Sequence, residues 1–461
     1  NIAYPGEIQG TMQSKLTLVE RTPMRKQFYL WIPLFYLGIT LQPGFGQTPI
    51  DPMTQSIVDS IQQDIEQIRG EKFKHRVEVA NQSLADFGGY LDKMLDRQFT
   101  EEYGKQYGKV IRKLGLYRGP EIEDFKAMAK MVMQSQAAAY YDPARNTFFV
   151  VMRNLPPAAM KAIYAHELYH GFQDQYHDLD RFILSPAEGK LNDDELLARQ
   201  SLVEGEATYI MTLWTFKKQF GSTPTRSLLE MAVNMQAKLD VKKILEMLQG
   251  GALPLTQGSD MEKAIKAMED IPPFMIETMI GAYLKGMAFV FKIQKQGWQM
   301  VDDLYEHPPV SSEHILHPEK WTAKEYPYQF EWPAFSGKIF RDWKLLESNT
   351  IGEIQWRIIF SEHGLAELGL KAAEGWDGDS FAVLENQPSN RLMLLICSSW
   401  DSEAEAIEFV EAYNELLKVK YADGNEIVKV EREGRDVHII EGGSQAGLVR
   451  FMKKIRKVKK S

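Results

Sequence analysis

Residues 163–172 read IYAHELYHGF, which places His166, Glu167 and His170 in an H-E-x-x-H pattern. Four residues of α-helix turn about 400° and rise about 6 Å, so the two histidines project from one face at a separation that a single tetrahedral zinc ion can bridge. Glu167 then points beside that ion, where a carboxylate can take a proton from a water whose pKa the metal has lowered to about 7. The flanking residues are uncharged and largely apolar, as a buried active-site helix requires. These residue types at this spacing point to metal-assisted hydrolysis, with His166 and His170 as zinc ligands and Glu167 as the general base.

A third ligand has to come from elsewhere. His177 lies eleven residues after His166 on nearly the same face, but a continuing helix would carry it about 16 Å along the axis. A downstream carboxylate fits better. The segment SLVEGEATYIM carries Glu204 and Glu206, and about 200° of helical rotation separates them, so only one can be a ligand. Glu204 is favoured because Ser201, Gly205, Ala207 and Thr208 around it are small enough for two helices to approach closely. Glu206 then becomes an ordinary solvated glutamate. A donor for a developing oxyanion is also needed, and such donors contribute about 3 to 4 kcal/mol in comparable sites. His317 is assigned to it, with His314 and Tyr209 as the other available types, although both histidines precede Pro318 in a stretch that also suits structural capping.

H-E-x-x-H followed by a glutamate on a later helix resembles the gluzincin arrangement, the group that includes the thermolysin-like peptidases. The longer strings AHELYHGFQDQYHDL and LVEGEATYIM resemble an uncharacterised set of exported bacterial proteins in that group, with motifs close to H-E-L-x-H-x-x-Q-D-Q and L-V-E-G-x-A-T. PPVSSEHILHPEKW, EGWDGDSF and CSSWDSEAEAIEFVEAY extend the resemblance over most of residues 60–445. It implies His166, His170 and Glu204 as ligands, Glu167 as base, and a two-lobed zincin-like fold. Thr208 stands where the thermolysin-like pattern has an aspartate behind a ligand histidine, so another group must orient the imidazole, and Asp174 is the candidate.

The elements that must position these residues are α+β. An amphipathic helix with Ile57, Ile61, Ile65 and Ile68 on one stripe ends at Gly70. KFKHRVEVA alternates like a strand, helical patterns follow at 84–95 and 122–133, and AAAYYDPARNTFFVVMR reads as a hairpin. Its second arm, Thr147 to Met152, is expected at the edge of an N-terminal sheet, where it could hold an extended substrate by strand addition. The active-site helix starts after Pro156 and Pro157, where proline suits a first turn. Helical patterns then dominate from Leu191 to Gln299. Past Leu345 come a helix at 365–373, strands at 381–384 and 391–398, a helix at 403–417 and two short strands, with Trp376 to Asp379 as a tight turn. The closing MKKIRKVKK suits a solvated helix end. The organisation expected is a zincin-like catalytic domain at 47–345, its α/β lobe reaching about residue 178 and a mainly helical lobe following, then a small accessory α+β domain at 346–461.

Composition sets the remaining bounds. The 461-residue chain is 44% hydrophobic and 25% charged, with a net charge of -9, so it offers no broad basic surface for nucleic acid. Its single cysteine, Cys397, lies in the apolar run LMLLICSSW and reads as a buried free thiol. Residues 24–46, MRKQFYLWIPLFYLGITLQPGFG, have the charged, apolar and small-residue order of a secretory signal, with 1–23 as an upstream leader outside the fold. The expected protein is therefore exported, with a peptide or unfolded protein as substrate, and membrane-bound only if the leader stays attached. The competing expectation is a catalytically inactive, zinc-stabilised binding protein that holds a partner in the cleft or on the C-terminal domain.

Overall fold

A computed structural model describes residues 48–98, 100–136, 138–151, 155–184, 191–237 and 271–461. The leader and the signal segment at 24–46 lie outside the described residues, as does Met152. The fold is mixed α+β, with a separate β-sheet region in the C-terminal part.

Helix α1 (Pro52–Arg69) begins at Asp51, whose carboxylate accepts from the Met53 and Thr54 amides, and ends at Gly70 in the left-handed conformation. Its buried stripe, Val58, Ile61 and Ile65, packs against the active-site helix α5 (Pro157–His177) and strand β4 (Thr147–Val151). On the other side of the sheet lie α2 (Leu84–Gln98), α3 (Glu101–Leu114) and α4 (Phe125–Gln136).

The N-terminal sheet has the order β1 (Thr48–Pro49), β2 (Glu78–Gln82), β4, β3 (Ala139–Asp142). Strands β3 and β4 form the expected hairpin, whose turn uses Pro143 and a left-handed Asn146. The expected edge position of Thr147 to Met152 is corrected, because β4 pairs in parallel with β2 and antiparallel with β3. The free edge belongs to β3. The KFKHRVEVA reading also shifts, since only its end belongs to a strand, which runs on through Asn81 and Gln82.

A second layer of helices covers α5. Helix α6 (Asp193–Phe220) opens with a capping box between Asn192 and Glu195, and its residues from Leu196 to Ile210 are buried without interruption. Against it lies α8 (Pro273–Gln294), with α7 (Arg226–Ala237) and α9 (Trp298–Glu306) alongside. By length and composition α8 is apolar enough to cross a membrane, but its buried residues Met287, Phe289, Val290 and Phe291 belong to a core shared with α6.

The two helices meet backbone to backbone at glycines. A Cβ on Gly205 would sit 2.1 Å from the Gly286 carbonyl carbon, and one on Gly286 would sit 1.9 Å from the Ser201 oxygen. Those contacts leave no room for any side chain at either position. The small residues beside Glu204 therefore admit a facing helix closely, and that helix is α8, not the histidine-bearing α5.

The C-terminal antiparallel sheet runs β6 (Trp343–Asn349), β7 (Trp376–Asn386), β8 (Leu392–Trp400), β10 (Asp436–Glu441), β9 (Val428–Glu433). Alternation along β8 sends Leu394 and Ile396 to one core and Met393, Leu395 and Cys397 to the other. Cys397 is a buried free thiol. The first core continues into α2, α3 and α4, so apolar packing joins this sheet to the N-terminal half.

The tight turn expected at Trp376 to Asp379 is instead a bulge within β7. It turns the Asp379 carboxylate inward to accept from the amides of Ile351 and Gly352 and the indoles of Trp356 and Trp376. At the C-terminus, the basic run leaves helical structure and ends in β11 (Lys459–Lys460), paired with β5 (Phe330–Glu331).

Candidate metal centre

Three side chains converge where α5 crosses α6. His166 Nε2 lies 3.1 Å from His170 Nε2 and 3.1 Å from Glu204 Oε2, and His170 Nε2 lies 3.6 Å from that same oxygen. A tetrahedral ion with bonds of about 2.0 to 2.1 Å needs donor-to-donor edges of about 3.3 to 3.4 Å, which this triangle brackets. All three residues are buried, and they are the metal-competent group of His, Cys, Asp and Glu found among the described residues. The group could hold a metal ion.

Glu167 occupies the same helix face and is fully buried. Neither of its oxygens has a side-chain hydrogen-bond partner, and the donor drawing on it is the backbone of Tyr141. Burial pushes its carboxyl well above the usual range, and the Glu204 charge adds to the effect. At Glu204 burial pushes in the same direction, but the His170 and His166 rings outweigh it and bring the carboxyl down to about 2. Two electrostatically coupled carboxylates are thus shifted in opposite directions.

The histidine on the α6 side is fixed by an amide. His170 Nδ1 lies 2.8 Å from Gln173 Oε1, while Gln173 Nε2 donates toward Val203 O, Glu206 Oε2 and Tyr305 Oη at 3.0, 3.0 and 2.8 Å. A flipped amide would set its oxygen against a carboxylate and a carbonyl, so the acceptor end must face the imidazole. Nδ1 then carries the proton and the Nε2 lone pair faces the ligand triangle. Asp174, expected in this role, serves elsewhere, accepting from Tyr141 Oη at 2.8 Å and the Leu179 amide at 3.0 Å. The neighbouring residue on the same helix does the orienting.

Glu206 is corrected as well. It is 1% exposed and accepts from Tyr169 and Tyr305, with Arg69 Nε at 3.8 Å. Arg69 in turn donates to Tyr169 Oη and Asp302. Glu206, outside the triangle, thus anchors a buried polar network behind Glu204.

His317 pairs with Glu353 at 3.1 Å and lies 3.7 Å from Glu319, between the helical turns Ser312–Leu316 and Pro318–Ala323. None of these bonds reaches the ligand triangle. His314 is buried with Nε2 2.6 Å from Glu325 O, in a capping role. Tyr209 lies 3.3 Å from Gln294 and lines a separate cavity. His177 stacks on Tyr305 at the far end of α5, away from the metal ligands. The donor-type residue at the centre is Tyr283 of α8, which sequence reasoning missed. Its ring stacks on His166 at 5.7 Å, and its hydroxyl, raised chiefly by burial, interacts with Glu204 and Glu167.

A family described as a domain of unknown function (DUF8575) matches residues 344–452. No curated protein and no solved structure matches the chain.

Proposed function

We propose that this chain is an exported zinc-dependent metallopeptidase of zincin-like fold that hydrolyses peptide bonds, with His166, His170 and Glu204 holding the ion and Glu167 acting as general base. The observation that carries the reading is Glu167 itself, a buried carboxylate beside a metal-competent triangle with no side-chain partner. A purely structural metal has no use for such a group, and structural zinc is normally closed by four protein ligands. Leaving a carboxylate buried and unpaired costs free energy that a binding protein could shed by substitution. Zinc in this position would supply Lewis acidity and lower the pKa of water.

The chain's own residues do the rest. Glu167, with its proton affinity raised, accepts the proton of the attacking water and delivers it to the leaving amine. Tyr283 offers a hydroxyl to the oxyanion. The peptide is held along β3. Val151 N bonds to Ala138 O, so by alternation Tyr140 and Asp142 pair inward and the backbone groups of Ala139 and Tyr141 face the free edge, beside Glu167. The signal-like leader supports export.

Metal analysis of the purified mature protein, with a chelator-controlled cleavage assay on an unfolded protein, tests the proposal. One zinc per chain with cleavage abolished by chelator is the expected result. Full zinc occupancy without turnover would favour the inactive binding protein, and absence of metal would refute both.

A further inference from the structure

A second cavity, of about 730 Å³, lies far along the chain from the histidine pair, where the end of α3 meets the C-terminal sheet. Its cationic lining comes from three converging segments. Lys109, Arg112, Lys113 and Arg118 come from α3 and the turn after it, Arg391 from the position just before β8, and Lys420 from the end of the helix Glu403–Lys420. Glu121 and Glu426 are the carboxylates in the same wall. In a chain of net charge -9 this is a local reversal of sign.

The lysines are held from behind. Lys420 Nζ lies 2.7 Å from the fully buried Glu441 and 2.7 Å from the Lys113 carbonyl, Lys113 pairs with Glu426 at 2.8 Å, and Lys109 bonds Glu385. Arg391 stands 3.7 Å from Glu426. Arg112 and Arg118 differ. Among the described residues neither guanidinium makes a hydrogen bond or an ion pair, although Glu362 lies within electrostatic reach of Arg118. Both guanidinium groups are exposed at the rim.

Positive charges crowd one another here. Burial lowers Lys420, with Glu441 opposing that shift and Lys113 adding to it, while His363 in the same wall is brought down to about 4 by burial, with Lys420 and Arg118 adding to it. An anion in the cavity would relieve that repulsion. Two guanidiniums without side-chain partners offer forked donors at the rim, and the paired lysines beneath them add positive potential, a combination suited to tetrahedral oxyanions. The volume falls within the range of small-molecule sites.

We infer that this cavity binds a phosphate-bearing anion, clamping the C-terminal sheet onto α3, with Arg112 and Arg118 as the recognition pair. The inference is independent of the peptidase reading, and its test uses no activity assay.

Thermal unfolding of the full chain is followed as inorganic phosphate replaces chloride at constant ionic strength, in wild type and in Arg112→Ala/Arg118→Ala. Both substitutions are at exposed positions without partners, so the variant should fold with an unchanged midpoint in chloride. Phosphate should raise the wild-type midpoint saturably, with the apparent affinity weakened at least tenfold in the variant. A parallel arm measures cosedimentation with phosphatidylglycerol vesicles. Arginine-dependent capture by vesicles would assign the phosphate to a lipid headgroup, and arginine-dependent protection by phosphate alone would assign it to a soluble ligand. Equal behaviour of the two proteins in both arms would overturn the inference.

Discussion

Gln173 Oε1 lies 2.8 Å from His170 Nδ1, and the other end of the same amide donates to Glu206, so one side chain couples the proposed ligand His170 to a buried carboxylate. Gln173→Met keeps the length of the side chain but removes all of the amide's hydrogen bonds. Loss of such an orienting partner typically lowers metal affinity by about 10- to 100-fold. Competition against a chromogenic chelator should show that drop, with the far-ultraviolet circular dichroism retained. Unchanged affinity would mean that packing alone orients His170.

Glu204 and Glu206 should separate cleanly. Glu204→Ala removes a ligand and should abolish stoichiometric zinc binding while the fold survives. Glu206→Ala should retain zinc at reduced affinity but strip Arg69, Tyr169 and Tyr305 of a shared acceptor. Breaking a buried pair from one side costs about 3 to 5 kcal/mol. Urea unfolding and metal titration of both variants provide the comparison, and the opposite ranking in metal binding would transfer the ligand role to Glu206.

The glycine contact between α6 and α8 gives a packing test. Gly286→Ala would place a methyl 1.9 Å from the Ser201 carbonyl oxygen, and backbone cannot yield as a side chain can. Overpacking of this kind costs about 1 to 3 kcal/mol or more, and the helices that carry Glu204 and Tyr283 would separate. A lower melting temperature with weakened zinc binding is expected. Gly104→Ala is the control. Its new methyl would meet Phe125 at an ordinary 3.8 Å, and within a helix it should be neutral or stabilising by about 0.5 to 1 kcal/mol.

What could be read in advance follows the range of the interactions involved. His166, Glu167 and His170 stand in a relationship fixed by one helix, so spacing alone places them on a common face. The preference for Glu204 over Glu206 rested on small neighbours, and the Gly205–Gly286 contact is the physical form of that clue. The order of β3 and β4 was not readable. Both strands are buried throughout, and a buried pattern does not distinguish an edge strand from a central one. Tyr283 was missed because its helix joins the centre only through tertiary packing and its sequence carries no motif. Gln173 is legible in the sequence as a residue three after His170 on a shared face, but an amide carries none of the charge that marks the usual partner of such an imidazole.

The most direct measurement compares wild type with Glu167→Gln at matched zinc content on an unfolded protein substrate. The amide is nearly isosteric and is not needed to hold the ion, so fold and metal loading should be unchanged. It cannot accept the proton of the attacking water, and losing a general base costs about 10²- to 10⁴-fold in rate. The account predicts chelator-sensitive cleavage by wild type and a loss of that size in the variant. Equal rates in the two zinc-loaded proteins, whether both active or both inert, would contradict it.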